Sequence, residues 1–168
     1  MTTYTATVDS PVGPLTLVAT DRALCELSWS GDSRHARRSL VDQSATDPGQ
    51  PVLAQAISEL DEYFTGGRRH FSVPVAATGT DFQHSVWKVL CGIPYGTTIS
   101  YGEQARRVGN PKAMRAVGGA NGRNPVGIIV PCHRVIGADG SLTGFGGGVG
   151  VKAWLLQHEQ RVAQSTSS

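Results

Sequence analysis

The sequence predicts two domains. A small α/β domain, an antiparallel sheet with one helix, covers residues 1–76, and a mainly α domain carrying a helix-turn-helix covers 77–168. Three observations carry this reading. The first third is cut into strand-length segments by Pro and Gly, whereas from Pro51 apolar residues recur every three to four positions. The small, polar stretch AATGT (76–80) has the character of a linker. Charge also divides nearby: residues 1–79 hold six Arg and nine acids, net −3, and residues 80–168 hold nine Lys or Arg and four acids, net +5.

Each element follows in order. YTATVDS (4–10), LTLVAT (15–20) and ALCELSW (23–29) have strand length and are separated by the turn signals SPVGP and DR. Residues 30–50 are polar and turn-rich, with one helical turn at Arg37–Val41. Leu53, Ile57, Leu60 and Phe64 form the apolar stripe of a helix running from Pro51 to Gly66-Gly67. HFSVPV (70–75) alternates like a strand, and its Pro places it at an edge.

In the second domain, Thr80 or Asp81 caps a helix that buries Phe82, Val86, Val89, Leu90 and Ile93 and ends at Pro94. SYGE (100–103) has the form of a capping box, Ser100 at the cap and Glu103 reaching back. That helix stops at Gly109, Asn110 caps the next, and Pro111 takes its first position. Two short helices about a tight turn make the helix-turn-helix. VGIIV (126–130) reads as a strand and GADGSL (137–142) as a hairpin-type turn. TGFGGGVG (143–150) is a glycine-rich loop without the G-K-[ST] ending of a phosphate loop. Val151, Trp154, Leu155 and His158 share one side of a last helix.

Composition excludes several classes. With 39% hydrophobic and 17% charged residues, the chain reads as an ordinary globular protein. No apolar run approaches the ~20 residues of a membrane span, and the N-terminus lacks the features of a signal peptide. Cys25, Cys91 and Cys132 are scattered and odd in number, which favours a reducing compartment, the cytoplasm, over a disulfide framework. They form no CxxC pair, so no metal site is expected. Between Gln104 and Arg134 lie six basic residues and no acid: Arg106, Arg107, Lys112, Arg115, Arg123 and Arg134. This favours an anionic partner, nucleic acid first, with a solvated basic surface as the alternative. Lys112 and Arg115, three apart on a helix centred on Ala and Gly, tilt the choice towards DNA.

Cys132 lies in VGIIVPCHRVIG (126–137), directly before His133 and Arg134. Nearby positive charge favours a thiolate, so this cysteine reads as a nucleophile, whereas a structural cysteine needs no such neighbours. PCHRVIG, within SYGEQARRVGNPKAMRAVGGANGRNPVGIIVPCHRVIGADGSLTGFGGG, resembles the active-site region of the 6-O-methylguanine-DNA methyltransferase family. The resemblance runs from about Thr80 to Glu159, and VDSPVGPLTL is similar to the N-terminal domain of bacterial members.

The resemblance implies a ribonuclease-H-like first domain and a winged-helix-like second one. It implies a repair protein that flips 6-O-alkylguanine, and also 4-O-methylthymine, from duplex DNA and moves the alkyl group irreversibly to Cys132. His133 would act as base through a water, Glu159 would orient it, and Asn124 would brace the turn that holds the cysteine. Tyr101 would rotate the target phosphate and sit by the base. Arg115 would fill the gap left by the flipped base, with Lys112, Ala116, Gly118, Gly119, Ala120 and Arg123 also at the DNA. Val135, Phe145, Gly146, Gly127 and Met114 would form the substrate pocket, with backbone groups at Cys132, Val135 and Gly146 reading the guanine edge. Gly127 stands where some members carry Pro, and Phe145 where others carry Tyr. The partner implied is double-stranded DNA, bound in the minor groove with low sequence specificity by a monomer. No cofactor is implied, since the alkyl donor is the DNA. Two other readings keep the same residues: a cysteine hydrolase using Cys132 and His133, and a DNA-binding module in which Cys132 is structural.

Overall fold

The computed structural model describes residues 2–30, 45–143 and 145–165. The helical turn expected at Arg37–Val41 lies outside them. The chain divides into two compact units, Met1–Thr78 with Pro125–Gly127, and Gly79–Asn124 with Ile128–Ser168.

The first unit is a four-stranded sheet and one long helix. β1 (Tyr4–Val8), β2 (Leu15–Ala19) and β3 (Leu24–Trp29) are antiparallel neighbours, and β4 (Ala45–Thr46) adds to β1 in parallel, giving the order β3-β2-β1-β4. The sheet is therefore mixed and not wholly antiparallel. β2 is buried along its length, between two neighbours and under α1 (Pro51–Phe64). Gln50 caps α1 through Oε1, which accepts from Leu53 N at 2.9 Å. Leu53, Ala56, Leu60 and Tyr63 are its buried apolar stripe.

The strand expected over 70–75 does not form. Only Val75 pairs, in a single bridge with Leu24. The donors that would extend the ladder are engaged elsewhere: Ser72 N and Val73 N both donate to Glu59 Oε1, at 2.7 and 3.0 Å, and Pro74 has no N–H. Glu59 is itself buried. Burial disfavours its charge, but the bonds from Gln55, Val73 and Ser72 outweigh that and hold its carboxyl below the usual range.

The second unit packs α2 (Asp81–Cys91), α3 (Tyr101–Val108) and α4 (Met114–Gly122) on one another. Thr80 caps α2 in a full capping box with Gln83. Phe82, expected in the core, is exposed, and Trp87 occupies the core instead. The Trp87 indole N–H donates to the Ala120 carbonyl at 2.9 Å. Gly79 makes room for the ring: a Cβ there would stand 2.5 Å from Trp87 Cη2.

Ser100 caps α3, but the box is half made. Glu103 turns forward to Arg106 and Arg107 rather than back to the cap. Gly109 ends α3 in the left-handed conformation, as its position predicts. α4 starts at Met114 and not at Pro111, because residues 110–113 make a turn of their own. Asn110 Oδ1 accepts from Lys112 N, and Asn110 O from Ala113 N. Gln104 and Asn121, both buried, exchange two amide hydrogen bonds of 2.8 and 2.7 Å and tie α3 to α4.

The run 126–130 is no strand. Val126 makes one bridge to Leu27, and Gly127–Ile129 is a turn. Cys132–Arg134 is a short 3₁₀ helix, so these residues are not extended as the flanking β-branched run suggested. β6 (Val135–Ile136) pairs in parallel with β5 (Ile99–Ser100). The Asp139-Gly140 turn closes locally, with Gly137 N donating to Ser141 O, but joins no hairpin. In α5 (Val149–Ser165) the buried residues are Lys152, Leu155, His158 and Glu159, while Val151 and Trp154 are partly exposed. No helix among the described residues is long and apolar enough to cross a membrane.

Candidate active site

Cys132 opens the 3₁₀ helix at 8% exposure. Its Sγ accepts from Asn124 Nδ2 at 3.3 Å, and the same nitrogen donates to Val130 O at 2.8 Å. Cys132 N donates back to Val130 O at 2.9 Å. One asparagine thus clasps both the sulfur and the backbone just before it.

His133, Arg134 and Glu159 form a buried array. His133 Nε2 lies 2.7 Å from Glu159 Oε2. Arg134 spans the carboxylate, Nε to Oε1 at 2.8 Å and Nη2 to Oε2 at 3.0 Å, and its Nη1 donates to Ile93 O at 2.8 Å. Burial opposes charge on Glu159, yet the His133 and Arg134 contacts overcome it and hold the carboxyl far below the usual range. An ionised carboxylate only accepts, so His133 Nε2 must carry the proton. The lone pair then sits on Nδ1, which is buried and has no protein partner among the described residues. Burial lowers the His133 pKa, against the pull of Glu159, so the ring is neutral and able to take a proton there.

Beside this array, Lys152 is 1% exposed. Its Nζ donates to Thr143 O at 3.1 Å and lies 3.5 Å from the Tyr101 hydroxyl, which also donates to Thr143 O at 3.1 Å. Val135 and Phe145 are buried, and Gly146 is half-buried.

The basic segment sorts into two groups. Arg106 and Arg107 are paired with Glu103, and Arg134 with Glu159. Lys112, Arg115 and Arg123 are exposed at the start, first turn and end of the α4 region. Ala116 and Gly119 are exposed between them, and Gly118 is half-buried near the Tyr101 ring. Ala120, expected at the DNA, is buried, and its carbonyl receives the Trp87 indole N–H. The other two expected pocket residues are Met114 and Gly127. Met114 is 50% exposed at the start of α4. Gly127 belongs to the first unit, where a Cβ would meet Trp29 Cζ3 at 2.8 Å.

Matches to known proteins cover both units. Residues 3–77 match the family description "6-O-methylguanine DNA methyltransferase, ribonuclease-like domain", and residues 81–161 match "6-O-methylguanine DNA methyltransferase, DNA binding domain". The chain belongs to the 6-O-methylguanine DNA methyltransferase family. This is a family of DNA-repair methyltransferases. A relative from Mycobacterium tuberculosis, named methylated-DNA–protein-cysteine methyltransferase, is 49% identical, with 92% of this chain and 90% of the relative covered. One of the same name from Methanosarcina mazei is 44% identical over 94% of this chain and 97% of its own. The crystal structure of the Mycobacterium tuberculosis protein in complex with DNA superposes with a TM-score of 0.86 at 47% identity, covering 95% of this chain and 94% of that one. The ribonuclease-like first domain and helical DNA-binding second domain of the family are both present here.

Arg134 as a member of the array, and the buried Lys152 beside it, were missed from sequence alone. Lys152, Leu155 and Glu159 lie at i, i+3 and i+7 on α5, so a lysine and a glutamate on a buried stripe were the available signal.

Proposed function

We propose that this methyltransferase flips 6-O-alkylguanine, and also 4-O-methylthymine, out of duplex DNA and takes the alkyl group on Cys132, each chain acting once. The observation that carries the reading is the clasped Cys132 sulfur beside a neutral His133 whose accepting nitrogen is buried and available. The Cys132 proton passes through a water to His133 Nδ1. Glu159, held in place by Arg134, balances the imidazolium that results. The sulfur attacks the alkyl carbon, the bond from that carbon to oxygen breaks, and its electron pair leaves with the base, which takes up a proton. The product is a thioether, a poor leaving group, so the chain is spent.

DNA binds through its minor groove, with the α4 region presenting Lys112, Arg115 and Arg123 to the duplex and Ala116, Gly118 and Gly119 allowing close approach. Arg115 enters the gap that the flipped base leaves. Tyr101 meets the target nucleotide, and the backbone of Cys132, Val135 and Gly146, beside Phe145, reads the base. The protein acts as a monomer in the cytoplasm with low sequence specificity.

The test is intact mass after incubation with a duplex holding one methylated guanine. One methyl mass, mapped to Cys132, is expected. Repeated turnover would point to a hydrolase, and an unmodified chain that still binds would point to a binding module.

A further inference from the structure

Ile128 is the one non-glycine residue at positive φ among the described residues, at 68°. It is β-branched, the side-chain class that tolerates left-handed backbone least, and it is 1% exposed. The neighbouring Gly127 does not supply the turn. Its φ is not positive, and its missing side chain makes room for Trp29.

The turn bears on Cys132. Beyond it, the Val130 carbonyl points at Asn124 Nδ2 and Cys132 N, and Asn124 Nδ2 also reaches Cys132 Sγ. Residues 124–132 therefore close on themselves. The nucleophile is at one end, the amide that holds it is at the other, and the left-handed residue is at the midpoint. A right-handed or extended residue 128 would send the chain on another course and take the Val130 carbonyl away from Asn124.

We propose that the left-handed turn at Ile128 is a positioning device for alkyl transfer, in which a buried side chain holds a backbone conformation that the residue would not adopt by itself. Ile128 acts through Asn124 and Val130 on the placement of Cys132. The inference rests on Cys132 being the alkyl acceptor.

The test uses the full chain with Ile128→Val, Ile128→Gly and Ile128→Ala, and reads the single-turnover rate on saturating methylated duplex. Gly and Ala remove nearly the same buried side chain. Gly accepts left-handed backbone freely, and Ala resists it. The expected order is Val near wild type, Gly slower, and Ala slower than Gly by about tenfold, the cost of left-handed backbone in a residue with a Cβ. The half-saturating duplex concentration stays unchanged. In an Asn124→Ala background the gap between Gly and Ala closes, because the clasp that the turn serves is gone. A packing role alone puts Ala level with Gly or above it, and that order overturns the proposal, as does a gap that persists without Asn124. If the small variants do not fold, the backbone scalar couplings of residue 128 in the labelled wild-type protein give the sign of φ directly. A negative φ overturns the proposal. Failure of the wild-type chain to carry methyl on Cys132 would instead defeat the functional reading, before any variant is made.

Discussion

Replacing Arg134 by Met should cost both stability and transfer, and the cause is Glu159. In the intact array this fully buried carboxylate receives two guanidinium bonds and lies 2.7 Å from His133 Nε2. Met keeps the apolar length of the side chain but removes both guanidinium bonds from the carboxylate. Breaking a buried ion pair by removing one partner costs about 3–5 kcal/mol. At about 2–4 °C per kcal/mol for a chain of this size, the melting temperature should fall by roughly 6–20 °C. The chemistry changes too. Without Arg134 the carboxyl holds its proton to higher pH, and a protonated Glu159 donates to Nε2. The imidazole proton then moves to Nδ1, where the base is needed. Transfer to Cys132 from free methylguanine should therefore slow, most at low pH, and recover in part as pH rises. Calorimetry and single-turnover rates from pH 6 to 9 measure both effects. Adding Glu159→Gln to Arg134→Met should restore part of the stability, since no unpaired charge is left, but not the rate. A single variant that melts within about 2 °C of wild type and transfers at the wild-type rate would refute the reasoning.

Arg115→Ala should slow repair of methylated duplex strongly and barely change the slow reaction with free base, because only the duplex demands extrusion, and unstacking costs a few kcal/mol per step. Arg115→Lys should rescue poorly, since an ammonium lacks the plane that stacks. Equal losses on both substrates would place Arg115 in support of the fold. Affinity for undamaged duplex should fall as salt rises, and replacing Lys112 or Arg115 by Ala should each lower the logarithmic slope by about 0.9. The same change at Arg106, already paired with Glu103, should lower it less. His133 ties stability to pH. Burial lowers its folded-state pKa below the ordinary 6.5, so below 6.5 the unfolded chain binds a proton that the folded chain refuses. The melting temperature should fall as pH drops from 7 to 5, more steeply than in His133→Gln, and parallel curves would contradict the assignment.

Much of the second unit was legible from local signals. Thr80, Ser100 and Gly109 stand at helix ends because their side chains or backbone satisfy donors and acceptors within a few residues. The misreadings share a cause. HFSVPV has the alternation of a strand, but Glu59, thirteen residues back, accepts the hydrogen bond its Ser72 N–H would give a neighbour. VGIIV has the composition of a strand, but Ile128 is turned left-handed inside the fold. Phe82 has the spacing of the α2 stripe but is exposed, while Trp87 is buried with its indole N–H on a carbonyl of another helix, thirty-three residues on.

The sequence by itself determined the two-domain order, the basic helix-turn-helix and the adjacent cysteine, histidine and arginine. Each rests on charge, periodicity or adjacency, which act over a few residues and survive without tertiary contacts. The tertiary structure decided which nitrogen of His133 carries the proton and how its carboxylate partner is held. Those depend on Glu159 meeting His133 and Arg134 across 26 and 25 residues of chain, and on burial that makes their bonds strong enough to choose a tautomer.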